Sequence, residues 1–170
     1  MEIKLEATTA HLWFEEIMSG DDSISIESVW EHIEKAEWYA NAMLSGGQNP
    51  EGKFYPLKDE IARNSILSVR KQLARFRGIA EERFNKKNTS KPGSNIDQRF
   101  DAIFNDFISQ SDDAETKVQH IIEIQQTRFY FLGMILLFSS LITATIMMRI
   151  VVRNNKSKTE LLESLNNTNI

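Results

Sequence analysis

Residues 129–148 read FYFLGMILLFSSLITATIMM, twenty consecutive positions without a charge. At a helical rise of about 1.5 Å per residue the run is about 30 Å long, one hydrocarbon thickness, so it is expected to span a bilayer. Phe129, Tyr130 and Phe131 stand at one border, where amphipathic rings are favoured. The competing reading, a buried core helix, accounts poorly for such length with nothing more polar than Ser and Thr.

The flanking charges set a direction. Arg149, Arg153, Lys156 and Lys158 follow the run, whereas the stretch just before it holds only Lys117 and Arg128. The positive-inside rule therefore places the C-terminus in the cytoplasm and residues 1–128 outside. Those first 128 residues carry 16 Lys/Arg against 22 Asp/Glu, and the remainder carries 4 against 2. With no basic block in the long N-terminal part, the electrostatic footprint of a nucleic-acid binder is missing. Absence of cysteine removes disulfides, thiolate metal ligands and cysteine nucleophiles together. An apolar content of 41%, with only seven Gly and three Pro, argues against both extensive disorder and a turn-dense β fold.

An exported part of this size needs a device to carry it across the membrane, yet the opening MEIKLEATTAHLWF has neither a basic n-region nor an apolar h-region. The chain is therefore expected to be a fragment of a two-pass receptor, its first span lying before residue 1. The alternative is a single-pass protein whose one span acts as a reverse signal anchor.

Four helices are expected upstream of the span. The first, residues 2–19, has Ile3, Ala7, Ala10, Phe14 and Ile17 on one face and stops at Gly20. The second, residues 25–45, carries Ile26, Val29, Trp30, Ile33, Ala36, Ala40, Met43 and Leu44, and Gly46-Gly47 ends it. A loop with Pro50, Gly52 and Pro56 leads to the third, residues 57–86, with Ile61, Ile66, Val69, Leu73, Phe76, Ala80 and Phe84. Ser94 and Asp97 form the pattern of a capping box for the fourth. That helix shows Ile96, Phe100, Ile103, Phe104, Phe107, Ala114, Val118, Ile121 and Ile122, and no breaker separates it from the apolar run. Short connections then predict an all-α fold: an antiparallel up-down four-helix bundle whose last helix continues into a transmembrane helix, with Met1 near the membrane. The expected organisation is an extracytoplasmic bundle (1–128), a span (129–148) and a cytoplasmic stub (149–170), where Leu161, Leu162 and Leu165 begin a signalling coiled coil.

The stretches HLWFEEIMSGD (11–21), WEHIEKAEWYANAMLSGG (30–47) and RFDAIFNDF (99–107) resemble the periplasmic sensor region of bacterial transmembrane receptors, the type found in sensor histidine kinases, chemoreceptors and diguanylate cyclases. The resemblance extends over residues 1–148 in layout. It implies an inner-membrane homodimer whose periplasmic bundle binds a small molecule or a periplasmic binding protein and moves the membrane helices. It brings no binding residues with it, and the chain departs from the full pattern in lacking a first span and an output domain.

Candidate chemistry is concentrated near the first interhelical turn. If that turn lies at residues 20–23, His11 faces His32 and Trp13 faces Trp30, with Glu15 one turn from His11. Two imidazoles and a carboxylate suit zinc, copper, nickel or iron. Because both histidines flank the apolar stripe, where a hydrogen-bonded histidine is commoner, neither a metal nor another cofactor is expected. Arg63, Arg70 and Arg77 recur every seven residues on the third helix and can clamp a carboxylate, nitrate or phosphate. Pairing with Glu60, Glu81 or acids of the fourth helix is the plainer account. Arg83 with Asp97 and Asp101 reads as a salt-bridge cluster. Trp13, Trp30, Trp38 and Tyr39 can line a pocket or simply pack the core.

The expected ligand site is therefore the layer of His11, Trp13, Glu15, Trp30 and His32 with either Arg70 or Arg77. No catalytic, phosphate-loop or dinucleotide motif is present, so a receptor input module is expected rather than an enzyme. The output would be cytoplasmic, most simply a histidine kinase of a two-component system. A membrane-tethered structural or adaptor protein that docks partners through its bundle is the alternative.

Overall fold

Each helix ends where local chemistry ends it. In the computed structural model, which describes residues 2–168, the order is α1 (Glu2–Met18), α2 (Ile26–Ser45), β1 (Gly47–Asn49), β2 (Gly52–Phe54), α3 (Glu60–Asn85) and α4 (Asn95–Thr168). The chain is thus all-α apart from one small hairpin. Met1 lies outside the described residues, as do the side chains of Leu161 and Leu165, on which the coiled-coil expectation rests.

α1 buries Ile3, Ala7, Ala10, Phe14 and Ile17, the stripe read from its period. Ser25 caps α2, its Oγ accepting the Ser28 N–H at 3.3 Å. Gly46 closes α2 with φ +81°, and its N–H reaches the Ala42 carbonyl. A Cβ there would stand 3.2 Å from Pro56 Cδ and 3.3 Å from the Phe54 oxygen. The glycine thus serves both the left-handed turn and the close return of the chain.

Two boundaries differ from expectation. Residues 47–54, read as loop, pair as an antiparallel hairpin with Gly47 opposite Phe54 and Asn49 opposite Gly52. Asn49 Oδ1 accepts the N–H groups of Glu51 and Gly52 at 3.0 and 3.1 Å, an Asx turn that closes it. Strands of three residues are too short to show a period. α3 begins at Glu60 rather than 57 because Asp59 caps it, accepting the Ala62 N–H at 2.9 Å. The N–H of Leu57 is spent instead on the Met43 carbonyl at 2.8 Å, which ties the connection back to α2. At the start of α4, Ser94 Oγ accepts from Asp97 N–H at 3.4 Å, while the Asp97 carboxylate reaches Gly93 N–H at 2.7 Å. The box closes one residue earlier than its usual form.

One core joins all four helices: Phe14 from α1, Val29 and Ile33 from α2, Ile66, Leu73 and Phe76 from α3, and Phe100, Phe107 and Ala114 from α4. Lys4 of α1 reaches Asp112 and Glu115 of α4 at 2.6 and 3.1 Å. The chain divides at Ile121/Ile122 into two units. The second contains the apolar run, and α4 is the one helix among the described residues long and apolar enough to cross a membrane. Its apolar side chains lie bare, Phe129 at 79% and Leu136 at 69% exposure. The hydroxyls of Ser139, Thr143 and Thr145 donate to backbone carbonyls three or four residues earlier, at 2.8 to 2.9 Å.

Candidate functional site

Two positions on α1 define the polar layer. His11 and Glu15, one turn apart, flank the buried stripe on the side that meets α4. The His11 ring stacks on Phe104 at 3.8 Å between centroids and on Phe100 at 5.1 Å, nearly parallel to both. Its side chain is 17% exposed, and Nε2 lies 3.8 Å from Asp101 Oδ1, beyond hydrogen-bond reach. That nitrogen is buried and has no hydrogen-bond partner among the described residues.

Beside it sits a fully buried guanidinium. Arg83 of α3 pairs with Glu15 of α1 and with Asp97 of α4, so one cation joins three helices. Its charge is further shielded by Phe14 and Phe100, whose ring centroids lie 5.5 and 4.8 Å from the guanidinium carbon. Arg83 falls on the same face as Val69, Leu73, Phe76 and Ala80, and an arginine on a core stripe was the sequence signal for this site. The cluster expected of Arg83, Asp97 and Asp101 is corrected in membership: Glu15 takes the place of Asp101, which turns to His11.

The other expected residues engage different partners. His32 is bonded through Nδ1 to Glu6, and its ring meets Trp13 edge-on at 4.6 Å. Trp30 packs on Phe14 and Phe84. The expected facing of His11 with His32 therefore does not organise the layer: His32 is engaged within the α1–α2 pair, while His11 turns to α4. Helix phase decides this, because hairpin counting gives height along the helices but not facing. Arg77 pairs with Glu34 and Glu37 of α2 and with Glu81 at 3.0 to 3.6 Å, and Arg70 reaches Asn41 at 3.2 Å. Arg63 donates to the Leu44 and Leu57 carbonyls at 2.6 and 3.0 Å, sealing the α2–α3 connection. The arginine at the His11 layer is thus Arg83, and the heptad stripe faces α2.

A second polar and aromatic locus lies at the hairpin. Trp38, Tyr39, Pro50 and Asn49 line a cleft of about 370 Å³ with Glu6, Lys35 and Glu51. The Tyr39 hydroxyl donates to Glu51 at 2.6 Å, and that bond to a carboxylate pushes the phenol up to about 12. The hairpin turn that carries Glu51 to Tyr39 was not legible in advance.

Burial holds the His11 imidazole below its ordinary value of 6.5; Glu15 and Asp101 pull it back up, and Arg83 adds to the depression. The unfolded chain then binds this proton more readily than the fold. The stabilisation from neutral His11 is complete above the unfolded value and is lost as pH falls through the folded one. Melting of the full chain in detergent should drop between pH 7.5 and 5.5, and more steeply than in His11→Gln. Equal slopes in the two proteins would remove this role from His11.

Comparison with protein-family models, curated proteins and solved structures finds no match.

Proposed function

We propose that the chain is the ligand-sensing input module of a bacterial membrane receptor, most simply a two-component sensor histidine kinase. Residues 1–128 form a periplasmic up-down four-helix bundle, residues 129–148 cross the inner membrane, and the C-terminus lies in the cytoplasm. The observation that carries the reading is the double character of α4, which gives Phe100, Phe107 and Ala114 to a packed core and also bears the bare apolar run. The hydroxyls of Ser139, Thr143 and Thr145 in that run are satisfied by their own helix, as a lipid environment demands. A ligand or binding protein that altered how α4 packs would displace the span by a piston, rotation or scissoring motion. The two states are alternative packings within a homodimer. The role is binding and transmission, not catalysis.

The sequence has no cysteine, so topology is directly testable. Asn88→Cys, in the exposed α3–α4 connection, should react with a membrane-impermeant maleimide in intact spheroplasts. Lys156→Cys should react only after permeabilisation. The reverse pattern overturns the orientation, and equal reaction of both overturns the span.

A further inference from the structure

We infer that His11, Glu15 and Asp101 form a binding site for a divalent first-row transition metal of the zinc class, which ties α1 to α4. One ligand atom from each of the three lies within 4.8 Å of the other two. Donors around a tetrahedral zinc, bound at about 2.0–2.2 Å, are about 3.4 Å apart. The His11–Asp101 pair at 3.8 Å already approaches this. Asp101 is half-exposed, with 55% of its side chain accessible, so it can close the remaining gap by a change of rotamer and leaves an entry path for the ion.

The decisive feature is the His11 Nε2 atom. A buried ring nitrogen is ordinarily hydrogen-bonded, yet this one has no such partner among the described residues. Phe100 and Phe104 fix the ring plane by stacking, which orients the nitrogen without using it. His32 offers a contrast, since its Nδ1 is already occupied by Glu6.

Charge also fits a dication. Glu15 and Asp97 pair with Arg83 while Asp101 faces His11, so three carboxylates stand against one guanidinium and leave a formal charge of −2 in the cluster. Arg83 donates to both oxygens of the Glu15 carboxylate, and each oxygen retains a further lone pair for a second partner. One nitrogen and two oxygens favour zinc and its neighbours. Calcium and magnesium prefer all-oxygen shells, and the lack of thiolate disfavours cuprous copper. The fourth position is left to water or to a ligand carboxylate.

The site stands independently of the receptor reading; its use as the sensed signal rests on that reading. The test is a calorimetric titration of the full 170-residue chain in detergent micelles with Zn²⁺, paralleled by visible absorption of Co²⁺. One equivalent should bind, with the intense bands of tetrahedral cobalt. Removing a direct ligand should cost at least what losing a supporting group costs, so His11→Ala and Asp101→Asn should each weaken binding about 100-fold or more. His32→Ala should leave it unchanged. Asp101→Asn changes an exposed side chain and guards against loss of fold, checked by circular dichroism. Absence of binding, or wild-type affinity in both ligand variants, overturns the site. Metal binding with the topology experiment reversed would instead sink only the receptor orientation.

Discussion

Replacing Arg83 by alanine is expected to cost about 3–5 kcal/mol of stability, because it takes a fully buried counter-charge away from the largely covered Asp97 and the half-buried Glu15. Arg83 is fully buried, and it pairs with Glu15 at 33% and Asp97 at 13% side-chain exposure. Its removal leaves Asp97 in particular with little access to water. At the slope usual for a domain of this size, the melting temperature of the full chain should fall by about 10 °C or more. Adding Asp97→Asn should recover part of the loss. Arg77 provides the control: it has three acidic neighbours but is 32% exposed, and surface pairs contribute about 1 kcal/mol or less. If Arg77→Ala proves as damaging as Arg83→Ala, burial is not what sets the energetics of this cluster.

Phe100→Ala should destabilise by about 3–5 kcal/mol, the range for emptying an aromatic site in a core that relaxes only partly. The ring is fully buried. It lies 4.9 Å from Phe14, 5.3 Å from Phe76 and 5.1 Å from His11, centroid to centroid, and it also faces the Arg83 guanidinium. Truncation therefore opens a cavity between α1, α3 and α4 and removes the π-face that accompanies a desolvated cation. The loss should couple to the Arg83 change, so that the double variant departs from additivity by about 0.5 kcal/mol or more. Strict additivity in thermal unfolding would show that ring and guanidinium act independently.

Much of the fold was legible in the chain because helix periodicity is a local property. The stripe Ile3 to Ile17 names residues that are buried, the α2 stripe is buried at Val29, Ile33, Ala36, Ala40 and Leu44 and partly covered at Trp30 and Met43, and Ser25 and Gly46 terminate α2 where their chemistry requires. The α4 stripe is a partial case. Phe100, Phe107 and Ala114 are buried, whereas Val118 and Ile121 are only half-covered and Ile122 is 47% exposed. Apolar spacing continues there beyond the end of the core.

The polar layer divides in the same way. Sequence alone determined that His11 and Glu15 share one face of α1, since four residues make about one helical turn. It also determined that Arg83 lies on an apolar stripe and that the run 129–148 is long and apolar enough to cross a membrane. Which partners those groups meet was decided by tertiary structure. His11 faces Asp101 and the rings of α4 rather than His32, Glu15 meets Arg83 rather than Arg70 or Arg77, and Tyr39 finds Glu51 through a hairpin turn. Spacing along one helix fixes relative angle and height within that helix. The rotation of one helix against its neighbour is set by how the largest buried side chains interdigitate, here Phe14, Phe76, Phe100 and Phe107, and that packing is a property of all four helices together.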